Sequence, residues 1–429
     1  MKKEQDKHYI SAKEIRNIAK QNRQTIRELQ KKRASYKRED YVTEMRDPKN
    51  IVEFENLHTY FYTDNGVVKA VNGVSFNIPQ GSTVGVVGES GCGKSVTSLS
   101  LMQLVQGPMG QIVDGSIRFR STVRTVVGEE PIMVEQKDEE GNPVLDEEGN
   151  PVLVQAVTKR GKPRFKKVFE EHEEVFDIAK MPLSDMSSIR GREIAMIFQE
   201  PMTSLNPVFT IGYQLDEVTL LHENGADKER AKQRSIEMLE LVGIAMPERV
   251  YESYPHELSG GMRQRVMIAM ALCCNPKLII ADEPTTALDV TIQAQILDLL
   301  RDVKQKISGS IMLITHDLGV IAEMVDYVVV MYAGRIVEQG TVQEIFKNPM
   351  HPYTIGLQKS KPVVRRQVDR LYSISGNVPN PINMPQTCYF RDRCNMRCEK
   401  CKGEYPPMVQ VSPTHSVACY LCQEGGTQE

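Results

Sequence analysis

The feature that most constrains this chain is the run Gly-Glu-Ser-Gly-Cys-Gly-Lys-Ser at residues 88–95. A short apolar, β-branched segment precedes it, and a segment with helical spacing follows it, so the pattern predicts a strand, a glycine-rich turn and a helix. Backbone N–H groups in such a turn surround a polyphosphate at the positive end of the helix dipole. Lys94 is then expected to reach the β- and γ-phosphates, and the Ser95 hydroxyl to ligate Mg²⁺. The predicted nucleotide contacts are Gly88, Glu89, Ser90, Gly91, Cys92, Gly93, Lys94, Ser95 and Val96.

Composition sets the broad class. The chain has 429 residues, a hydrophobic fraction of 40%, a charged fraction of 25% and a net charge of −3. This length allows two or three domains, and the near-neutral charge gives no reason to expect nucleic acid as a partner. No run of about 18 apolar residues predicts a membrane span, and the N-terminus lacks the apolar segment of a secretory signal. We therefore expect a cytoplasmic protein, whose nine cysteines are free thiols or metal ligands rather than disulfides.

Residues 1–50 form a basic N-terminal extension with 15 Lys/Arg against 8 Asp/Glu. Apolar residues recur there at helical spacing, which predicts an amphipathic helix over residues 11–33. Such a helix could lie on an anionic membrane surface or dock on a partner. A solvated, partly disordered basic tail is an equally good interpretation of the same pattern.

A nucleotide-binding domain is predicted over residues 51–346, interrupted by an acidic insertion at 121–177. The insertion has 14 acidic and 8 basic residues and contains the sequence Asp-Glu-Glu-Gly-Asn-Pro-Val-Leu twice in tandem, at 138–145 and 146–153. Each Gly-Asn-Pro is a turn signal, so the insertion is expected to form short hairpins or a flexible loop. Neither this insertion nor the N-terminal extension carries a catalytic constellation.

The composition changes again over residues 347–429, which hold nine prolines and six of the nine cysteines. That mixture predicts a small, loop-rich C-terminal module held by a metal centre rather than by a large apolar core.

A second motif carries chemistry. The apolar segment 278–281 is followed by two adjacent carboxylates, Asp282 and Glu283. Asp282 is expected to hold Mg²⁺, directly or through water, and Glu283 to polarise the attacking water as general base. A strand that ends in Asp-Glu is weak evidence by itself, but together with the loop at Gly88 it is strong.

The run Leu-Ser-Gly-Gly-Met-Arg-Gln-Arg at residues 258–265 resembles the signature sequence of ATP-binding cassette (ABC) proteins. Other family marks follow in order. Gln199 resembles the Q-loop glutamine, residues 287–289 with Asp289 resemble the D-loop, and His316 resembles the switch histidine. Phe61 stands where the family has an aromatic residue that stacks on adenine, with Tyr60 beside it.

The resemblance implies an α/β fold: a P-loop ABC-type nucleotide-binding domain with a RecA-like core, an antiparallel β subdomain and a helical subdomain at about 200–275. It implies head-to-tail pairing of two cassettes, so that Ser259, Gly260, Gly261 and Gln264 act on the ATP of the partner. It also implies roles for this chain's own site residues. The implied catalytic residues are Glu283, His316, Gln199 and Lys94, and the implied magnesium ligands are Ser95, Gln199 and Asp282. Gln199 and Asp282 are also implied nucleotide contacts.

Three further runs, at residues 199–207, 348–354 and 374–381, are similar to the ATPase subunits of oligopeptide, dipeptide and nickel importers. The resemblance covers residues 51–120 and 178–422. It implies a peripheral protein at the cytoplasmic face of the membrane that drives uptake of peptides. The implied partners are a second, different ATPase subunit, two membrane permease subunits and an extracytoplasmic solute-binding protein. Nickel or another small solute is the alternative cargo.

The same resemblance gives the cysteines a meaning. Cys388, Cys394, Cys401 and Cys419 look like the four-cysteine module of this family, which implies a [4Fe–4S] cluster. Four thiolates also suit tetrahedral zinc, and ligand chemistry does not separate the two. Cys398 and Cys422 are extra, and either could replace a neighbour.

Two other functional classes compete with the importer ATPase. A soluble ABC ATPase acting on ribosomes or DNA would use the basic N-terminal arm, but the chain shows neither a second cassette nor a long coiled-coil insertion. A regulatory subunit that binds ATP with little turnover would tolerate the loss of Glu283.

Overall fold

The computed structural model describes residues 11–136, 138, 142–146, 150–157, 161–286, 288–307, 309–360 and 372–422. Its strands are, in chain order, β1 Val42–Thr43, β2 Asn50–Thr63, β3 Gly66–Pro79, β4 Thr83–Val87, β5 Gly110–Pro131, β6 Met133–Glu135, β7 Leu153–Gln155, β8 Phe165–Asp177, β9 Ile194–Ile197, β10 Leu278–Asp282, β11 Ser310–Thr315, β12 Tyr327–Tyr332, β13 Arg335–Thr341, β14 Val409–Gln410 and β15 Ser416–Val417. Its helices are α1 Ala12–Ser35, α2 Arg38–Tyr41, α3 Lys94–Leu101, α4 Pro201–Ser204, α5 Ile211–His222, α6 Lys228–Leu241, α7 Pro247–Glu252, α8 Gly260–Leu272, α9 Val290–Ile307, α10 Leu318–Met324, α11 Val342–Lys347 and α12 Pro352–Lys359.

An eight-stranded mixed sheet forms the centre of the molecule, in the order β14-β15-β13-β12-β4-β11-β10-β9. The five strands from β12 to β9 are parallel. Strands β4, β10 and β11 are buried along their whole length, as expected where helices or a second sheet cover both faces of a parallel sheet. Because the carboxyl ends of parallel strands share one edge, the segments that follow β4, β10 and β11 lie together.

Two hydrophobic cores cover the two faces of this sheet. Alternate residues of β10 enter different cores: Ile279 packs with the helical side, and Ile280 packs against the antiparallel sheet, as the alternation of a strand requires. The antiparallel sheet has the order β1-β8-β5-β2-β3. Helices α4 to α8 follow one another in the chain between β9 and β10. The predicted α/β fold, with an antiparallel β part and a helical part, is confirmed.

A long β arm extends from the antiparallel sheet. Its stem is the β5–β8 pair, which runs in register from Arg118 opposite Asp177 to Pro131 opposite Phe165. The tandem repeat lies beyond this stem. In each copy the asparagine N–H donates to the aspartate four residues before it, Asn142 to Asp138 at 2.8 Å and Asn150 to Asp146 at 2.9 Å. The insertion therefore joins the sheet through a paired stem, whereas the sequence suggests only short hairpins or a flexible loop; residues 139–141 and 147–149 lie outside the described part.

The N-terminal region packs on the antiparallel sheet. Helix α1 begins with a capping box between Ser11 and Glu14, an arrangement that satisfies the first free N–H groups of a helix. The Asn22 side chain, buried within α1, donates to the carbonyl of Thr63 at 2.9 Å. No helix within the described residues is both long and apolar enough to cross a membrane.

The C-terminal region continues the central sheet. Strand β15 pairs with β13 and β14, and Tyr389 and Phe390 are buried in the helical-side core. This region is therefore not held apart from the nucleotide-binding domain as a separate small module, which the shift in composition alone suggests.

Candidate functional site

The phosphate loop lies between β4 and α3. Gly93 has φ +101°, and a Cβ there would stand 2.2 Å from the carbonyl oxygen of Ala70. A Cβ at Gly88 would stand equally close, 2.2 Å, to the carbonyl oxygen of Met331. Only glycine fits at these two positions. The Lys94 ammonium lies inside the loop and donates to the carbonyl oxygens of Gly88, at 2.8 Å, and Glu89, at 3.1 Å, so it stands at the place where phosphates enter.

Ser95 and Asp282 come together from α3 and β10. The Ser95 hydroxyl donates to Oδ1 of Asp282 at 3.0 Å. Burial raises the pKa of Asp282, and the hydrogen bond from Ser95 opposes this effect. A buried carboxylate beside a hydroxyl at the phosphate loop fits Mg²⁺, which prefers oxygen ligands and bound phosphates. These two residues would hold the ion, and the ion would neutralise charge on the phosphates.

Two of the predicted catalytic residues, Gln199 and His316, lie beside a third, Glu283. Its Oε2 accepts hydrogen bonds from the Gln199 side-chain amide at 3.1 Å and from the Thr286 hydroxyl at 2.9 Å. His316 Nδ1 lies 3.4 Å from the same oxygen. Three elements contribute to this group: the segment after β9, the end of β10 and the end of β11. Thr286 is a contact that the sequence analysis missed, although it stands only three residues after Glu283.

A cavity of about 1120 Å³ joins these groups. Lys94, Gln199, Glu283 and His316 all line it. The phosphate-loop residues on its wall are Gly88, Glu89, Ser90, Gly91, Gly93, Ser95 and Val96. The opposite wall comes from the C-terminal region, through Leu357, Ser360, Tyr372, Ser373, Ile374, Gly376, Asn377, Val378 and Pro381. The sequence predicts no nucleotide contact on that wall. Its one sequence signal is the similarity of the run at 374–381 to the importer ATPases.

Three predicted nucleotide contacts, Phe61, Cys92 and Asp282, are not among the described residues that line this cavity. Phe61 lies in β2 opposite Val68, and Val68 lines the cavity whereas Phe61 does not. Cys92 is 0% exposed, and burial raises the pKa of its thiol. Its position under the loop is that of a small core residue. The adenine contact of Phe61 stays a prediction.

The signature residues occupy another part of the surface. Ser259 is the N-cap of α8 and accepts a hydrogen bond from the Met262 N–H at 3.3 Å. Neither Ser259, Gly260 nor Gly261 is among the described residues that line the phosphate-loop cavity. Gln264 is 1% exposed, so its side chain faces the core of this chain and this arrangement offers no support for its contact with a partner's ATP.

Asp289, the predicted D-loop residue, caps helix α9. Its Oδ1 accepts a hydrogen bond from the Ile292 N–H at 3.0 Å, at the start of α9. Residue 287, part of the predicted D-loop, lies outside the described residues.

The four cysteines assigned to a cluster converge. Cys388, Cys394, Cys401 and Cys419 line one small cavity together with Phe390. Cys398 is not on its wall, and its Sγ stands 3.5 Å from that of Cys401. Burial raises the pKa of the Cys388 thiol to about 11, which keeps it protonated when no cation is near. Within the described ranges, no set of three or more Cys, His, Asp or Glu side chains has the arrangement of a metal site.

Comparison with known proteins agrees with this site. The ABC transporter family model matches residues 71–180 and 149–286, and the model for the oligopeptide/dipeptide transporter C-terminal region matches residues 337–401. The oligopeptide transport ATP-binding protein AppD of Bacillus subtilis is 45% identical over 379 residues, 88% of this chain and 99% of AppD. OppD of the same organism is 44% identical over 86% of this chain and 88% of OppD.

Solved structures of isolated cassettes are more distant. The post-hydrolysis dimer of the ATP-binding cassette MJ0796, bound to ADP and Pi, has a TM-score of 0.49 at 20% identity and covers 68% of this chain and 98% of that one. The family is shown by the curated relatives, whose whole length this chain nearly spans. The chain belongs to the ABC transporter ATPases, within the family of oligopeptide and dipeptide transport ATP-binding proteins.

Proposed function

We propose that this chain is the ATP-hydrolysing subunit of an importer that takes up oligopeptides or dipeptides at the cytoplasmic face of the cell membrane. The observation that carries the proposal is the meeting of Gln199, Thr286 and His316 at one carboxylate oxygen of Glu283, on the wall of the phosphate-loop cavity. The proposed cargo is inferred from the family, because relatives 41–45% identical to this chain are named for oligopeptide and dipeptide transport.

The chemistry of the site is hydrolysis with Glu283 as general base. ATP would supply the γ-phosphate, and Ser95 and Asp282 would hold Mg²⁺, which supplies positive charge against that of the phosphates when bound. The Glu283 carboxylate takes the proton of the attacking water, while Gln199 and Thr286 fix the orientation of that carboxylate. His316, whose Nδ1 lies 3.4 Å from the same oxygen, lines the cavity and would support the γ-phosphate.

A second cassette completes the site. Ser259, Gly260 and Gly261 begin α8 with free N–H groups, which favour an anion, and they lie off the wall of this chain's own cavity. This separation supports a head-to-tail pair in which each signature acts on the ATP of the other chain. We propose that the second chain is a different ATPase subunit, and that two permease subunits and an extracytoplasmic solute-binding protein complete the importer.

We also propose that Cys388, Cys394, Cys401 and Cys419 bind a [4Fe–4S] cluster, with zinc as the alternative. Support comes from their convergence on one cavity and from four thiols being the usual donors for either group. Within the described residues their arrangement does not meet the geometry of a metal site, so binding requires a rearrangement of these side chains. Iron, zinc and acid-labile sulfide measured on the purified chain distinguish the two groups. A chain purified without air that contains none of them contradicts the proposal.

Affinity purification of the tagged chain from detergent-solubilised membranes tests the importer assignment. We expect two polytopic membrane subunits, a second cassette and a solute-binding protein to copurify. Val208 is 73% exposed. It directly follows the segment 199–207, which begins with the Q-loop glutamine and which we expect to face the membrane subunits. Val208→Asp should therefore reduce their recovery, whereas Val127→Asp, on the β arm and 57% exposed, should not. Recovery of ribosomal proteins or nucleic acid without membrane subunits would reject the assignment.

A further inference from the structure

Arg393 connects two regions that are far apart in the sequence. It is the last residue of a short 3-10 helix, Arg391–Arg393, directly before Cys394. Its guanidinium donates two hydrogen bonds to the carboxylate of Glu89, one of 2.6 Å from Nη1 and one of 3.0 Å from Nη2. The Arg393 side chain is 6% exposed and that of Glu89 is 31% exposed. Two parallel bonds to one carboxylate give the strong, directional form of this ion pair.

Glu89 is the second residue of the phosphate loop, and it is held at three points. Its N–H donates to the Tyr353 hydroxyl at 2.8 Å. Its carbonyl oxygen accepts from the Lys94 ammonium at 3.1 Å. Its carboxylate holds Arg393. Two of these three partners, Tyr353 and Arg393, come from the chain after residue 347, so the C-terminal region fixes the first half of the phosphate loop.

Arg393 is itself held in place on several sides. Its Nε donates to the carbonyl oxygen of Ser375 at 3.1 Å. Its guanidinium lies 5.7 Å from the ring centre of Tyr332 and 6.0 Å from that of Phe390, within reach of a cation–π attraction. Phe390 also lines the cysteine cavity, as does Cys394. Phe390 therefore lies beside both the cysteine cavity and the guanidinium of Arg393.

The charge of Glu89 gives this contact a second consequence. A carboxylate on the wall of a cavity that receives a triphosphate repels it, and that repulsion is strong in a partly enclosed site. A guanidinium bound to both carboxylate oxygens cancels this charge. Loss of Arg393 would leave the phosphate loop with an unpaired acid and one fewer support.

We propose that Arg393 is a positioning residue for ATP binding. Through Glu89 it holds the phosphate loop in the conformation that receives the β- and γ-phosphates, and it makes ATP affinity depend on the folding of the cysteine-containing segment 388–419. The proposal rests on the assignment of this cavity to ATP.

The test measures ATP KM, kcat and the Kd of a fluorescent ATP analogue in the full-length chain. Arg393→Ala should raise KM and Kd on the order of 10-fold, or about 1.4 kcal/mol, because residues in direct contact have coupling energies of this order, while kcat changes less. Arg393→Lys should recover part of this loss, since it restores the charge without the two parallel bonds. In a Glu89→Gln background, Arg393→Ala should have little further effect, because the ion pair is already absent.

Arg391→Ala is the matched control. Arg391 lies in the same 3-10 helix, and among the described residues its side chain pairs with its neighbour Asp392 at 2.9 Å, so its loss should leave KM and Kd unchanged. If Arg393→Ala and Arg393→Lys both bind ATP as the unmodified chain does, or if the Arg393→Ala penalty persists in the Glu89→Gln background, the proposal is overturned. Lys94→Ala distinguishes this failure from a failure of the proposed function. Undiminished ATP binding in that variant would show that ATP does not bind in this cavity. Thermal unfolding identifies a variant that fails to fold. If Arg393→Ala fails to fold, ATP binding by Arg393→Lys, the milder change, tests the proposal.

Discussion

Glu283 accepts two hydrogen bonds on one carboxylate oxygen and has His316 beside that same oxygen. The arrangement leaves Oε1 free of the three groups that surround Oε2. A general base needs an oxygen that is open to water and a carboxylate that does not rotate. The hydrogen bonds from Gln199 and Thr286 restrict the rotation of the Glu283 carboxylate, so its proposed role depends on the side chains around it as well as on its own charge.

Glu283→Gln should lower ATP turnover about 100-fold or more, as expected for the loss of a general base, and should leave ATP binding intact. The measurement is steady-state ATPase activity, with nucleotide binding measured in parallel. Glu323→Gln, an exposed carboxylate paired with Arg301 on the molecule's surface, is the matched control. A Glu283→Gln chain with unchanged turnover in its complex would favour the regulatory subunit.

Thr286→Val should slow turnover less, by roughly 5- to 10-fold, because it removes one orienting hydrogen bond worth about 1 kcal/mol. Thr286 is not among the described residues that line the cavity, so KM for ATP should stay near its original value. A Thr286→Ser chain keeps the hydroxyl and should retain turnover. Equal kinetics in Thr286→Val and the unmodified chain would show that Gln199 alone orients Glu283.

At this scale the sequence predicts the groups that stand in short motifs and misses the distant groups that hold the phosphate loop. Lys94, Asp282 and Glu283 stand in short motifs with a fixed spacing to a strand or a helix. Tyr353 and Arg393 act on the phosphate loop from more than 260 residues away. Their spacing to the loop carries no signal, because only the fold brings them to it.

At the scale of elements, the C-terminal region is attached through specific polar contacts. Glu344 in the first turn of α11 accepts hydrogen bonds from Thr341, Ser412 and Thr414. Burial acts to raise the pKa of this carboxyl, but the hydrogen bonds from Ser412 and Thr341 outweigh it and lower the pKa to about 2. Because the ordinary value is 4.5, these bonds stabilise the folded chain above that pH and are lost as the pH falls towards 2.

Glu344→Gln should lower the thermal midpoint by roughly 2 °C at neutral pH, a size typical of losing one polar contact in a chain this long. The difference from the unmodified chain should be complete at pH 6 to 7 and should narrow as the pH falls below 4.5. Unfolding followed by circular dichroism across pH 3.5–7 measures it. Glu399→Gln, an exposed carboxylate next to Lys402, is the control, and a difference that is constant over this pH range would contradict the account.

The elements also show which sequence patterns are informative. Continuous apolar runs predict β4, β10 and β11 because each is buried on both faces. Composition suggests a separate C-terminal module, yet two strands of only two residues each, β14 and β15, extend the central sheet. Strands this short have no period to detect, and their pairing depends on β13 already being in place.

At the scale of the whole molecule, the phosphate-loop cavity and the signature occupy separate surfaces, so ATP hydrolysis by one chain alone is expected to be slow. The C-terminal region forms part of the cavity wall and also holds the phosphate loop. The proposed coupling of nucleotide binding therefore involves a region that matches the model for the oligopeptide/dipeptide transporter C-terminal region. The β arm and α1 lie on the antiparallel sheet and contribute no residue to the described cavity wall.

The most direct test of the central claim is uptake of a radiolabelled oligopeptide by cells that express the complete importer with either the unmodified chain or Glu283→Gln. We predict that Glu283→Gln lowers uptake to the background of cells without the chain, whereas Glu323→Gln transports normally. Equal amounts of each variant should copurify with the membrane subunits. Undiminished peptide uptake with Glu283→Gln in an intact complex would contradict the claim that hydrolysis by this chain drives transport.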